Sequence, residues 1–206
     1  MTRRSRAVVG IVLAAGRSQR MGEPKALLEI DGQTFLERAI RTLLNGGCAS
    51  VVAVLPPSKS ASRTWETAES AGARAVENPN SQSEPIDSLR IGLEAAPLDF
   101  GAAAMLPVDH PVVRESTIAA LLEAFESRGA VIVRPVFEDR PGHPILLERS
   151  IWDELAQSDL PEGTRTVVRR HRAEIDHVVV DDPGVLANID TPDDYARELE
   201  RRRCEA

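Results

Sequence analysis

The chain has 206 residues and a formal net charge of -7, long enough to bury a full core within one domain. That acidic balance excludes a general nucleic-acid binder, which needs broad positive surface. Only Cys48 and Cys204 occur, without C-x-x-C spacing, so neither a disulfide framework nor a thiolate metal site is indicated, and both read as free thiols in a reducing cytoplasm.

At the start, Arg3, Arg4 and Arg6 precede an apolar run from Ala7 to Ala15 that superficially copies a signal peptide. Within that run Val8, Val9, Ile11, Val12 and Leu13 form a near-continuous aliphatic stretch, which predicts a first strand buried on both faces of a parallel sheet. No later stretch is long and apolar enough to span a bilayer. Leu36, Ala39, Ile40 and Leu43 share a helical face, with Thr34 as cap and Gly46-Gly47 as stop. Val51 to Leu55 reads as the second strand, Ser60 to Ala71 as a more polar helix and Ala73 to Glu77 as the third strand. Ser88 to Ala96 reads as helix and Ala102 to Leu106 as the fourth strand; Ile118, Leu121, Leu122 and Phe125 mark the buried face of a long helix ended by Gly129. Val131 to Val136, Pro144 to Leu147 and Ile175 to Val180 read as further strands. Ile151 to Leu155 and the segment around Val167 read as short helices, and Pro192 opens a last one. The alternation predicts an α/β fold, a mostly parallel sheet with helices on both faces.

Chemistry concentrates first in Leu13-Ala-Ala-Gly-Arg-Ser-Gln-Arg-Met-Gly-Glu-Pro-Lys25, directly after the first strand. In open α/β sheets ligands sit at the carboxyl ends of strands. Ala14, Ala15 and Gly16 let a ligand approach the backbone, while Arg17, Arg20 and Lys25 can reach phosphate oxygens. The spacing is neither a P-loop nor a G-x-G-x-x-G dinucleotide fingerprint. Leu106-Pro-Val-Asp109-His-Pro111 presents a carboxylate at the end of the fourth strand, and hard carboxylate oxygen suits magnesium. In Asn188-Ile-Asp190-Thr-Pro-Asp-Asp194, Thr191 and Pro192 read as a cap and first helical residue; Asp190 precedes the cap and is left for a second metal carboxylate or a group orienting water on magnesium. Asn188 fits a partner or a turn equally. Arg140-Pro-Gly-His-Pro144 predicts a turn, with a histidine that ordinarily just hydrogen-bonds in its loop.

Taken together, Leu-Ala-Ala-Gly, Arg20-Met-Gly and Lys25, then Pro-Val-Asp109, Gly142-His-Pro and Asp190-Thr-Pro, occur in the order found in the molybdenum cofactor nucleotidyltransferases. The chain resembles that family from Val9 to Tyr195, most closely its cytidylyltransferases. The resemblance implies a three-layer, Rossmann-like sheet of the nucleotide-diphospho-sugar transferase (GT-A-like) type. It implies a single domain over 1–206, with 7–136 holding the nucleotide and 137–206 forming the acceptor-binding and C-terminal part. It also implies nucleotide-binding roles for Leu13, Ala14, Ala15, Gly16, Arg17, Ser18, Arg20, Lys25, Asn78 and Ser88. Arg20, Lys25 and Asp109 would be catalytic, Asp109 and Asp190 metal-binding, and Gly142 and His143 acceptor-binding. The implied cofactor is Mg²⁺ with Mn²⁺ as a substitute. The implied substrates are CTP, with GTP as the alternative, and a molybdopterin-type acceptor; a molybdoenzyme or insertion chaperone would receive the product. One segment departs: Glu84-Pro-Ile-Asp87 stands before Ser88-Leu-Arg-Ile-Gly-Leu93 where the cytidylyltransferases read Gly-Met-Ser-Ser, in the part associated with the base.

The expected reaction is attack of an acceptor phosphate on the α-phosphorus of a nucleoside triphosphate, with pyrophosphate leaving. A phosphate monoester, with a second pKa of about 6, is mostly dianionic near neutrality and needs no general base. Guanylyl transfer and sugar- or alditol-phosphate nucleotidyl transfer use the same parts. A glycosyltransferase would call for an Asp-x-Asp motif where this chain has Asp109-His-Pro, and a non-catalytic nucleotide- or cofactor-binding module is the remaining alternative.

Overall fold

The computed structural model describes residues 7–16, 21–80 and 82–205. Its centre is an eight-stranded sheet. The aliphatic run forms β1 (Val8–Leu13), flanked in parallel by β4 (Ser50–Leu55) and β6 (Ala102–Pro107), with β5 (Arg74–Glu77) outside β4. β9 (Ile145–Glu148) inserts antiparallel between β6 and β7 (Ile132–Phe137), and β10 (Ile175–Val179) closes that edge parallel to β7, giving the order β10-β7-β9-β6-β1-β4-β5.

Alternation along β1 sorts its side chains. Val8 and Val12 enter one apolar cluster, Val9 and Ile11 the other, as the two-residue period of a strand requires. The first cluster is covered by α1 (Phe35–Asn45), α2 (Ser62–Ser70), α4 (Glu115–Arg128) and α7 (Pro192–Glu205). The second is covered by α3 (Pro85–Ala95), α5 (Trp152–Leu155) and α6 (Thr164–Arg170). The expected three layers are therefore present.

The caps follow the sequence. Thr34 Oγ1 accepts from Glu37 N at 3.1 Å and starts α1, and Gly47 leaves the helix at φ 109°, a conformation that suits glycine. Thr191 and Asp194 form reciprocal bonds at the start of α7, Asp194 N to Thr191 Oγ1 at 3.2 Å and Thr191 N to Asp194 Oδ2 at 2.9 Å.

Several boundaries differ. α3 begins at Pro85 rather than Ser88, because Glu84 and Asp87 close a capping box around a proline at the first helical position. Leu122 is only half-buried, on the flank of α4, whose buried stripe runs through Ile118, Leu121 and Phe125. Two hairpins were not anticipated: β2 (Glu29–Ile30) with β3 (Gln33–Thr34), and β8 (Arg140–Pro141) against β7. Their turns put Asp31 and Gly32, and Glu138 and Asp139, at positive φ, the backbone of a two-residue hairpin loop. Among the described residues no helix is long and apolar enough to cross a membrane.

Candidate active site

The carboxyl ends of β1 and β6 lie side by side, Leu13 in register with Pro107. β1 delivers Ala14 and Ala15, both buried, and Gly16, which is exposed with no atom of the described residues within 4 Å of where a Cβ would stand. Leu13 is half-buried. The described residues thus leave space at the Gly16 backbone. Arg17, Ser18 and Arg20 lie outside the described residues.

Lys25 opens the short turn Lys25–Leu27, and its Nζ makes a very short contact to Asp190 Oδ1. The two are 165 positions apart. They meet because α7, which follows Asp190, is fastened to the hairpin after Lys25: Tyr195 Oη donates to Glu29 O at 2.5 Å and its ring sits edge-on to Phe35 at 5.8 Å. Asn188 Nδ2 donates to the other carboxylate oxygen, Asp190 Oδ2, at 2.9 Å. Asn188 is therefore a partner of Asp190.

Asp109 follows β6, and its backbone carbonyl accepts from Ile189 N at 2.9 Å, which brings the Asp190 segment onto the strand end. Asp109 Oδ1 is 2.9 Å from His110 Nδ1. Burial alone would raise the Asp109 carboxyl. The His110 hydrogen bond and the nearby charges of His110, Lys25 and His143 outweigh burial and hold it below the usual carboxylate range.

Gly142 and His143 are brought to the same place. Gly142 N donates to Pro135 O and His143 N to Val185 O, both at 2.9 Å. A Cβ on Gly142 would stand 2.3 Å from Val185 O, so only glycine admits this approach of two backbones. The His143 ring meets His110 edge-on, centroids 4.7 Å apart. Burial first, then the charges of His110, Arg134 and Arg165, push the His143 pKa down to about 4 against the pull of Asp109. Its imidazole is neutral at pH 7.

Asn78 and Ser88 also meet, but inwardly. Asn78 is 2% exposed and Ser88 5%, and Asn78 Nδ2 donates to Ser88 Oγ at 2.9 Å and to Ser83 Oγ at 2.8 Å. They brace the loop between β5 and α3. The departing segment is the first turn of α3: the Glu84 and Asp87 side chains cap it, and Asp87 also receives Arg90 at 3.0 Å. Arg90 Nε donates to Leu155 O at 3.0 Å, tying α3 to α5.

The donor set suits a divalent metal ion. Asp109 and Asp190 offer two carboxylates on adjoining segments, one held ionised, and magnesium typically takes one or two carboxylates and fills its shell from water and phosphate. Among the described residues no cluster of three or more His, Cys, Asp or Glu side chains could cage a metal by itself. A cavity of about 660 Å³ lies elsewhere, against α1 and the start of α4, bordered by Arg38, Arg41, Arg114 and Arg202. Its arginines are engaged: Arg41 pairs with Glu37, Arg38 with Asp31, and Arg202 with Asp31 and Glu198.

The mostly parallel sheet with helices on both faces has a nucleotide-diphospho-sugar transferase-like α/β fold, and a lysine and two carboxylates gather at its edge. Residues 10–175 match the MobA-like NTP transferase domain, and the chain belongs to that family of nucleotidyltransferases. Among curated relatives, the nicotine blue oxidoreductase of Paenarthrobacter nicotinovorans is 28% identical over 93% of this chain and 96% of its own. The 2-C-methyl-D-erythritol 4-phosphate cytidylyltransferase of Rhodococcus jostii is 32% identical over 88% and 82%. A probable molybdenum cofactor guanylyltransferase of Opitutus terrae is 28% identical over 98% and 99%. Among solved structures, Rv0371c of Mycobacterium tuberculosis superposes with a TM-score of 0.80 at 28% identity, covering 94% of this chain and 97% of that one. A manganese complex of Rv0371c superposes with a TM-score of 0.77 at 26% identity, covering 94% and 98%.

Proposed function

We propose that the protein transfers a nucleotide from a nucleoside triphosphate, CTP in the first instance, to the phosphate of a molybdopterin-type acceptor and releases pyrophosphate. The observation that carries this reading is the meeting of Lys25, Asp190, Asp109 and His143 at adjoining strand ends. Two polyanions must approach each other there, so alignment and charge neutralisation are what the site has to supply.

In this reading the Ala14-Ala15-Gly16 backbone receives the nucleotide and Arg17, Ser18 and Arg20 grip the β- and γ-phosphates. Lys25 exchanges Asp190 for the α-phosphate region as substrate enters. Asp109 and Asp190 would hold Mg²⁺, or Mn²⁺, the ion with which Rv0371c is complexed. When bound, the ion offsets charge on the phosphates and on departing pyrophosphate. His110 orients Asp109 through its Nδ1 contact. His143, neutral at pH 7, lines the acceptor side and is asked for no proton. Residues 7–136 serve the nucleotide and 137–206 the acceptor, in a cytoplasmic protein whose product passes to a molybdoenzyme or its insertion chaperone.

Guanylyl transfer is the second reading. It is favoured by the guanylyltransferase name of the Opitutus relative, while Glu84 and Asp87, engaged in capping α3, do not select the base. The oxidoreductase name of another relative fits this chain less well, because the loop after β1 carries cations for a triphosphate and no G-x-G-x-x-G.

The test measures pyrophosphate release with Mg²⁺, each nucleoside triphosphate in turn, and molybdopterin-bearing or sugar-phosphate acceptors. Turnover with CTP and the molybdopterin acceptor is expected. Turnover only with GTP selects the second reading, and none with any pair removes the enzymatic proposal.

A further inference from the structure

Beyond His143 the site holds a cation that the nucleotide chemistry leaves unused. Arg134 sits in β7, two residues after Ile132 and on the same face of the sheet, the face covered by α3, α5 and α6. Its guanidinium is half-buried, and its Nε is fully buried without a hydrogen-bond partner. Among the described residues no carboxylate pairs with it, and the β10 residue in register with it is His177. His143 Nδ1 is likewise buried and unpartnered. Orphaned buried groups of this kind are rare in folded proteins, since each forfeits its hydration without recovering a hydrogen bond. Burying a guanidinium without its anion is costlier still.

The two orphans share one neighbourhood. β9 runs antiparallel to β7, with Leu147 opposite Ile132 and Leu146 opposite Val133, and Gly142 N donates to Pro135 O at 2.9 Å, so the chain at His143 runs alongside Arg134. The His143 ring touches His110 beside Asp109, and the charges of Arg134 and Arg165 both act on it. Arg165 lies in the first turn of α6, whose leading Gly163 packs on Ile86 of α3, a Cβ there meeting the Ile86 Cβ at 3.2 Å. Arg165 is exposed and makes no ion pair among the described residues. A half-buried arginine whose Nε is sealed from solvent, an exposed arginine and a buried imidazole thus gather on the β9-β7 side of Asp109, away from the β1 loop.

We infer that Arg134, with Arg165 and His143, forms an anion site that receives the phosphate monoester of the acceptor. The planar guanidinium fits a phosphate bidentately, and the dianion supplies the counter-charge that the fold omits. The inference rests on the proposed function for the identity of the acceptor, but not for the existence of the site.

The experiment titrates inorganic phosphate onto the full chain by calorimetry, with pyrophosphate held saturating so that the Leu13–Lys25 loop is filled. Wild type is expected to bind phosphate, R134Q at least tenfold more weakly and R165Q about threefold more weakly, with R134K recovering part of the loss. Acetate is expected to bind at least tenfold more weakly than phosphate. A melting curve without ligand is expected to rise for R134Q, because removing an unpaired buried charge relieves the native state, whereas loss of a structural arginine would lower it. The inference is overturned if wild type binds no phosphate under these conditions, if R134Q binds it as wild type does, or if acetate binds equally well. It is also overturned if R134Q weakens pyrophosphate as much as phosphate, which would place Arg134 in the triphosphate grip. Arginine-dependent phosphate binding without turnover of any substrate pair would retain this site and remove the proposed reaction.

Discussion

At the scale of single residues, Asp109 is the side chain on which most converges. It is largely buried, yet its carboxyl is held below the usual range by His110, Lys25 and His143. An acid kept ionised in a desolvated setting is ready to meet a cation, and that is the property the proposed chemistry uses. Asp109→Asn keeps the shape and removes the charge. It is expected to retain acceptor binding in a titration while pyrophosphate release falls by about three orders of magnitude, the scale of losing an electrostatic anchor for phosphates; full activity would detach Asp109 from the metal. The residues legible in the sequence were those at strand ends: Asp109, Lys25, Asp190 and Gly142-His143 all reach one place. Arg134 and Arg165 were not legible, because a lone arginine in a strand or a polar helix carries no spacing that distinguishes it from surface charge.

At the scale of elements, the joints are made by side chains that cap one element from another. Asp182, 2% exposed, accepts from Arg114 N at 2.9 Å and from Thr117 Oγ1 at 2.6 Å, and so caps α4 across 68 and 65 positions of sequence, while its other oxygen takes Gly184 N at 2.9 Å. Asp182→Ala would strand two buried donors, Thr117 Oγ1 and Gly184 N, and the part-buried Arg114 N. It is expected to cost about 3 kcal/mol, a fall in melting temperature of about 6–12 °C by calorimetry. His171 joins α5 and α6 differently, bonded to Glu154 at 2.7 Å and Glu174 at 2.8 Å. Those bonds, Glu154 first, raise its pKa from the ordinary 6.5. The raised value means that its contribution is complete below about pH 6.5 and is lost as pH climbs through the folded-state pKa. Urea unfolding from pH 6 to 9 should show wild type and His171→Ala converging as pH rises, and a constant gap would exclude the ion pairs. The strands and long helices were read nearly to the residue from periodicity. The start of α3 lies three residues before Ser88, because Glu84 and Asp87, whose carboxylates suit a base amine or a helix start equally, serve the helix start as a capping box.

At the scale of the whole molecule, nucleotide and metal should bind as one unit, since Lys25 and Asp190, on opposite ends of the chain, must part together. A triphosphate with Mg²⁺ at 100 times its dissociation constant is expected to stabilise the fold by about 2.7 kcal/mol, raising the melting temperature by about 5–11 °C. A chelator should remove most of that rise, and an equal rise without metal would argue for the basic loop alone. The sequence by itself determined the alternation of strands and helices, both core faces of β1 and the strand-end motifs, because aliphatic periodicity and local backbone chemistry are written within a few residues. Only the tertiary structure decided that β9 enters antiparallel between β6 and β7, that α7 docks on the β2-β3 hairpin to set Asp190 against Lys25, and that the half-buried Arg134 finds no carboxylate partner among the described residues. Pairing order and charge compensation are set by how whole layers pack and by no local pattern, as the meeting of Lys25 and Asp190, 165 positions apart, shows.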